Sequence, residues 1–150
     1  MGLWTQQNVR GDGIVSNGLV YVPVSVGELY DKISILEIKL ERVQDAPARQ
    51  NVAQELELLR AVEANHGFAN IPQLNDLVAK LREINRRIWR SEDAVRSFAR
   101  NDDWSTDYLT AARASYSNND ERAKVKREIN DLTGSLIVEE KYHETGKRDG

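Results

Sequence analysis

The chain has 150 residues, 40% of them apolar and 30% charged, with a formal net charge of −3 and no cysteine. One domain of this length buries roughly 68–70% of the surface its unfolded chain exposes, so it needs neither disulfide nor metal to fold. The composition excludes a disulfide framework, a thiolate metal site and a cysteine nucleophile, and the acidic balance argues against general binding of nucleic-acid phosphates.

Residues 1–18 are polar and glycine-bearing and read as an N-terminal arm, followed by a helical domain over 19–143 and a mobile tail over 144–150. Within the arm, Ile14-Val15 and Leu19–Val24 flank Ser16-Asn17-Gly18, the pattern of a hairpin turn between β-branched runs. Pro23 lacks an N–H and confines that strand to an edge. Ser25 with Glu28 three residues on has the spacing of a capping box, and Leu29, Ile33, Leu36, Leu40 and Val43 keep a 3.6-residue period, predicting a first helix to about Val43.

Asp45 and Pro47 open a second helix carrying Val52, Leu56, Leu59 and Val62 and stopping at Gly67. Pro72 opens a third, in which Leu74, Leu77, Leu81, Ile84, Ile88, Val95 and Phe98 follow 3/4 spacing. This is the strongest periodic signal, and it predicts a helix of nearly thirty residues, about 40 Å long. A fourth begins at Ser105 or Thr106 and carries Leu109, Ala112 and Tyr116; Ser117–Asp120 is expected to kink or break it before Val125, Ile129 and Leu132 resume, with Gly134 as the stop. Ser135–Val138 is short and β-branched, suited to pair with Val20–Val24. The expected fold is mainly α: a bundle of four or five helices with a long central helix, and a two- or three-stranded β-element joining the terminal segments.

Charges border the apolar stripes. Projection at 100° per residue places Glu28, Lys32 and Lys39 along one edge of the first helix and Glu37 along the other, with a Glu28–Lys32 pair at i,i+4. On the fourth helix Arg113 projects into the stripe of Leu109, Ala112 and Tyr116, and Arg122 lies beside Val125 and Ile129. A buried guanidinium requires a partner: an internal carboxylate such as Glu92, Asp93 or Glu37, or an anionic ligand. The candidate ligand-binding set is therefore Glu28, Lys32, Lys39, Glu92, Arg96, Arg113, Tyr116, Arg122 and Lys126. Arg86–Arg90 surround Trp89, but consecutive residues point around the helix and Glu92-Asp93 follow, a weak pattern for nucleic acid.

His66 and His143 have no metal-site spacing, and no phosphate loop or nucleophile elbow is present; no metal or cofactor is expected. No apolar run approaches a membrane span, the N-terminus lacks a secretion pattern, and Gln6 stands where a myristoylation start requires Ser or Thr; a cytoplasmic protein is expected.

Val24-Ser25-Val26-Gly27-Glu28-Leu29, Asp31-Lys32 and Ile35–Arg42 resemble the opening of an uncharacterised bacterial domain family. Later blocks are similar to it as well: Ile88-Trp89, Glu92-Asp93 and Arg96; Ala112-Arg113 and Tyr116; Asn119-Asp120, Arg122-Ala123; Lys126-Arg127, Ile129-Asn130; Gly134-Ser135 and Glu139–Lys141. The resemblance runs from about residue 22 to 142 and departs from the family at residues 1–18 and where Tyr142 directly follows Lys141. It implies no reaction; it does imply occurrence alone or beside glycosyltransferases in surface-polysaccharide gene neighbourhoods.

Three expectations follow. The first is a non-catalytic binding or assembly module, homodimeric or bound to another protein through helix surfaces, accessory to glycosyl-transfer machinery. The second is a small helical enzyme or anion-binding protein, similar in architecture to chorismate-mutase-like bundles, with an inter-helix Arg/Lys/Glu pocket. The third is a phage or particle-associated structural protein whose N-terminal arm contacts a neighbour.

Overall fold

The computed structural model describes residues 18–142. Four helices follow in order: α1 (Val26–Arg42), α2 (Ala46–Asn65), α3 (Leu74–Arg100) and α4 (Thr106–Thr133), with a 3-10 turn at Phe68–Asn70 between α2 and α3. The mainly α expectation holds.

Local chemistry sets most of the boundaries. The Ser25 hydroxyl accepts the Glu28 N–H at 3.0 Å, and Asp45 accepts the Ala48 N–H at 2.9 Å, each satisfying one orphan donor of a first turn. Pro47 sits in the first turn of α2, where its missing N–H costs nothing. Gly134 ends α4 at φ 65°, a left-handed conformation that favours glycine. The second half of the expected capping box does not form: the Glu28 carboxylate is taken by Lys126 instead.

α3 and α4 pack antiparallel as a long hairpin, turned at Asn101–Ser105. In that turn Asp102 has φ 52° and accepts from Trp104 Nε1 at 2.6 Å. α1 lies across the base of the hairpin, and α2 packs on α1. The core joins Tyr30 to Leu74, Leu81, Ile84, Ile88, Val125 and Ile129, with Phe68, Ile71 and Leu77 packed at its margin. α1 is buried on more than one face, since Leu29, Tyr30, Ile33, Leu36 and Ile38 are all inaccessible, whereas α2 has no buried residue.

Two expectations are corrected. No strand occurs among the described residues. Val20, Tyr21 and Val22 are mostly exposed, and Leu136 is fully so. The residues beside the first expected strand are instead linked to the C-terminal segment by hydrogen bonds to side chains: Val26 N–H donates to Ser135 Oγ at 3.2 Å, and Ser25 Oγ donates to Glu139 at 2.6 Å. Pro23, with no N–H to offer a ladder, is consistent with that outcome. The Ile14–Asn17 half of the expected hairpin lies outside the described residues, as do nearly all of the arm and the tail.

α4 also runs unbroken through Ser117–Asp120. Asn119 Nδ2 donates to Ser115 O at 2.9 Å within the helix, and none of these four residues is buried, so the polar run is satisfied without breaking the ladder.

Candidate functional site

α1 approaches α4 closely at Gly27. A Cβ there would stand 2.6 Å from the Lys126 carbonyl oxygen and 2.9 Å from Asn130 Oδ1, so only a glycine admits this contact without a shift. The close approach lets Asn130 Oδ1 accept the Gly27 N–H at 2.7 Å, capping a second donor of α1 from across the interface.

Around that contact lies a polar cluster. Lys126 Nζ is 2.5 Å from Glu28 Oε2, 3.7 Å from Asp31 Oδ2 and 4.0 Å from Glu139 Oε1, and its side chain is only 16% exposed. Asp31 in turn accepts from Asn85 Nδ2 at 2.8 Å, and the same amide donates to Ser34 Oγ at 2.6 Å. Ser25, Asp31, Ser34, Asn85 and Asn130 are all buried. Asn85 Oδ1 is buried with no hydrogen-bond partner among the described residues.

Glu139 closes the cluster from the C-terminal segment. Burial pushes its carboxyl up, but the Ser25 hydroxyl, its own backbone N–H, Lys126 and Asn130 outweigh that and hold it below the ordinary carboxylate range. On the other side of α1, Tyr30 is pushed up to about 12, first by burial and then by the neighbouring Glu63 carboxylate. Chemically, this cluster clasps α1, α3, α4 and the C-terminal segment together: its lysine faces three carboxylates, and its hydroxyls and amides hydrogen-bond to those carboxylates and to neighbouring groups, Asn85 Oδ1 excepted.

The residues singled out from the sequence scatter. Glu28 and Lys126 meet directly. Lys32 reaches Glu55 at 3.8 Å rather than Glu28, and both side chains of that pair are about half exposed. Arg96 pairs with Glu92 one turn away at 3.2 Å, on the surface. Lys39 and Arg122 are half-buried and Arg113 is exposed; none of the three makes an ion pair among the described residues. The carboxylates expected to serve Arg113 and Arg122 are engaged elsewhere: Asp93 with Arg42 at 3.9 Å, and Glu37 with Arg60 and Arg82. Arg113 thus turns to solvent rather than into the stripe, because the helices at that level leave no interior for it.

Glu92, Arg96 and Tyr116 do converge, on a shallow cleft of about 360 Å³ between α3 and α4 completed by Val95, Tyr108, Ala112 and Ser115. Around and past this level no described residue of the hairpin is buried. The last buried residue of α3 is Ser91 and the first of α4 is Val125. Between them Trp104 is 60% exposed, Leu109 52% and Tyr116 75%.

Reading the apolar period alone misses Asp31, Ser34, Asn85 and Asn130. A signal is present: Gly27, Asp31 and Ser34 form an i, i+4, i+7 row of small and polar residues, continued at i+11 by the apolar Ile38, which marks a second packed face on α1. No group of His, Asp or Glu able to hold a metal occurs among the described residues, and no helix there is long and apolar enough to cross a membrane.

A family model described as a family of unknown function, DUF6165, matches residues 20–148. The chain belongs to that family. No curated protein and no solved structure matches it. The family's span contains every element described above.

Proposed function

We propose that this domain is a non-catalytic assembly module that pairs with a second copy of itself through the distal part of the α3–α4 hairpin. One observation carries the reading: from Glu92 to Lys124 the hairpin contains no buried residue, yet it presents Trp104, Leu109 and Tyr116 to solvent. Two antiparallel helices alone bury one stripe each, which is marginal in water without further packing. Leu109, Ala112 and Tyr116 hold the 3/4 spacing of a helix-packing seam, and two such hairpins side by side make a four-helix bundle.

Charge favours a second copy over a strongly charged partner. Along the distal arm of the α3–α4 hairpin, from Glu92 to Lys124, Glu92, Asp93, Asp102, Asp103, Asp107, Asp120 and Glu121 are interspersed with Arg96, Arg100, Arg113, Arg122 and Lys124. A two-fold interface sets such a mixed surface against itself, so that each sign finds the other. Glycosyl-transfer machinery of surface polysaccharides, suggested by the family resemblance, is the proposed setting for this assembly.

Sedimentation velocity over a dilution series tests the reading. The wild type is expected to shift from dimer to monomer on dilution, and Leu109→Glu to stay monomeric with an unchanged circular dichroism spectrum. A wild type that remains monomeric at the highest concentration, or a Leu109→Glu variant that dimerises equally well, contradicts it.

A further inference from the structure

A second feature lies away from the arm, where the C-terminal half of α1 faces the start of α2 and the middle of α3. A groove of about 490 Å³ opens there, lined by Glu37, Leu40, Glu41, Arg49, Arg82 and Arg86. That volume is within the range of small-molecule sites, roughly 300–1,000 Å³. Three guanidiniums share the groove in a chain whose net charge is −3.

Each of these arginines gives only one nitrogen to the protein among the described residues. Arg49 donates through Nη1 to the Leu40 carbonyl. Arg82 donates through Nε to Glu37 Oε2 at 2.7 Å, and Arg86 through Nη2 to Glu41 Oε1 at 2.8 Å. A guanidinium has five N–H donors, so most of the forks' capacity is unspent.

The two carboxylates do not cancel that capacity. Glu37 is mostly buried and already shared between Arg82 and Arg60. Glu41 is 55% exposed in its side chain, pairs with Arg86 alone, and is free to rotate outward at little cost.

We propose that this groove binds a phosphoryl group, held by Arg49, Arg82 and Arg86 after Glu41 swings away. A phosphoryl group carries enough oxygens and charge to occupy several forks at once, whereas a carboxylate satisfies one. None of the three arginines belongs to the α3–α4 arm, so the proposal stands or falls independently of self-assembly.

The test is isothermal titration of the full chain with inorganic pyrophosphate in a phosphate-free, low-salt buffer, with a parallel arm using phosphatidylglycerol vesicles. Pyrophosphate is expected to bind, about tenfold more weakly to Arg86→Gln and not measurably to Arg49→Gln/Arg86→Gln, since charge-assisted forks carry the contact. Glu41→Gln is expected to bind several-fold more tightly, by removing the competing carboxylate. Thermal melts of the variants verify the fold, and Arg113→Gln, outside the groove, is expected to bind like the wild type. Binding of vesicles alone, lost in the same double variant, assigns the phosphoryl group to a lipid headgroup. No binding of either probe, or equal weakening by Arg113→Gln, overturns the proposal.

Discussion

The two ends of the α3–α4 hairpin are built from similar helix but in opposite surroundings. At the base, α1 lies across it, and Leu81, Ile84, Val125 and Ile129 are completely inaccessible. The same interface also takes in Asp31, Asn85 and Asn130. At the far end no described residue is buried, and Tyr116, Leu109 and Trp104 face solvent. Helical propensity alone does not distinguish the ends. The contrast is one of burial: the base carries the buried core, while the distal part of the hairpin has no buried residue among those described.

Truncation sharpens this contrast most. Ile84→Ala empties a fully buried site and is expected to cost about 2–5 kcal/mol. Leu109→Ala, half-exposed on the arm, is expected to change the dilute monomer by no more than ~0.5 kcal/mol. Urea denaturation at low protein concentration checks both; similar losses would erase the distinction between base and arm.

The next effect is at the α1–α4 crossing. Gly→Ala in a helix interior ordinarily gains roughly 0.5–1 kcal/mol. At Gly27 the sign is expected to reverse, with a loss of about 1–3 kcal/mol, because the new methyl meets a backbone carbonyl that cannot rotate away. A stabilised Gly27→Ala protein would mean that the helices separate at little cost there.

The smallest effect concerns pH. Glu139 is held below its ordinary value of 4.5 in the fold, so the folded state binds fewer protons than the unfolded one as pH falls through that range. Its contribution is therefore present above about pH 4.5 and is lost as pH drops through the lowered value. Ser25→Ala removes the strongest opposing hydrogen bond and is expected to move the Glu139 titration upward, with a loss of about 1 kcal/mol for the missing cap. A carboxyl-detected NMR titration reads the shift directly; an unmoved Glu139 would detach the C-terminal segment from the clasp.

Much of this was legible in the sequence, and the misses have identifiable causes. Ser25, Asp45 and Gly134 announce helix boundaries because capping depends on residues a few positions apart. Leu81, Ile84 and Ile88 announce the core because burial enforces the helical period. Ion-pair partners are different in kind. Lys126 finds Glu28 across 98 residues and Glu37 finds Arg82 across 45, and no local spacing encodes either pairing. Arg113 was misplaced by projection because a face apolar in sequence need not meet a neighbour. The terminal segments suggest a β-element because their β-branched residues suit strands, whereas the links that form beside them are hydrogen bonds accepted by side chains, from the Ser25 hydroxyl to Glu139 and from the Val26 N–H to Ser135 Oγ.

The decisive comparison is hydrogen exchange of the wild type measured at low and high protein concentration, resolved along α3 and α4. If the arm is an assembly surface, amides between Leu109 and Tyr116 gain protection as concentration rises, while those around Ile84 and Ile129, already covered within one chain, do not change. Exchange in the arm that is fast and independent of concentration would contradict the account.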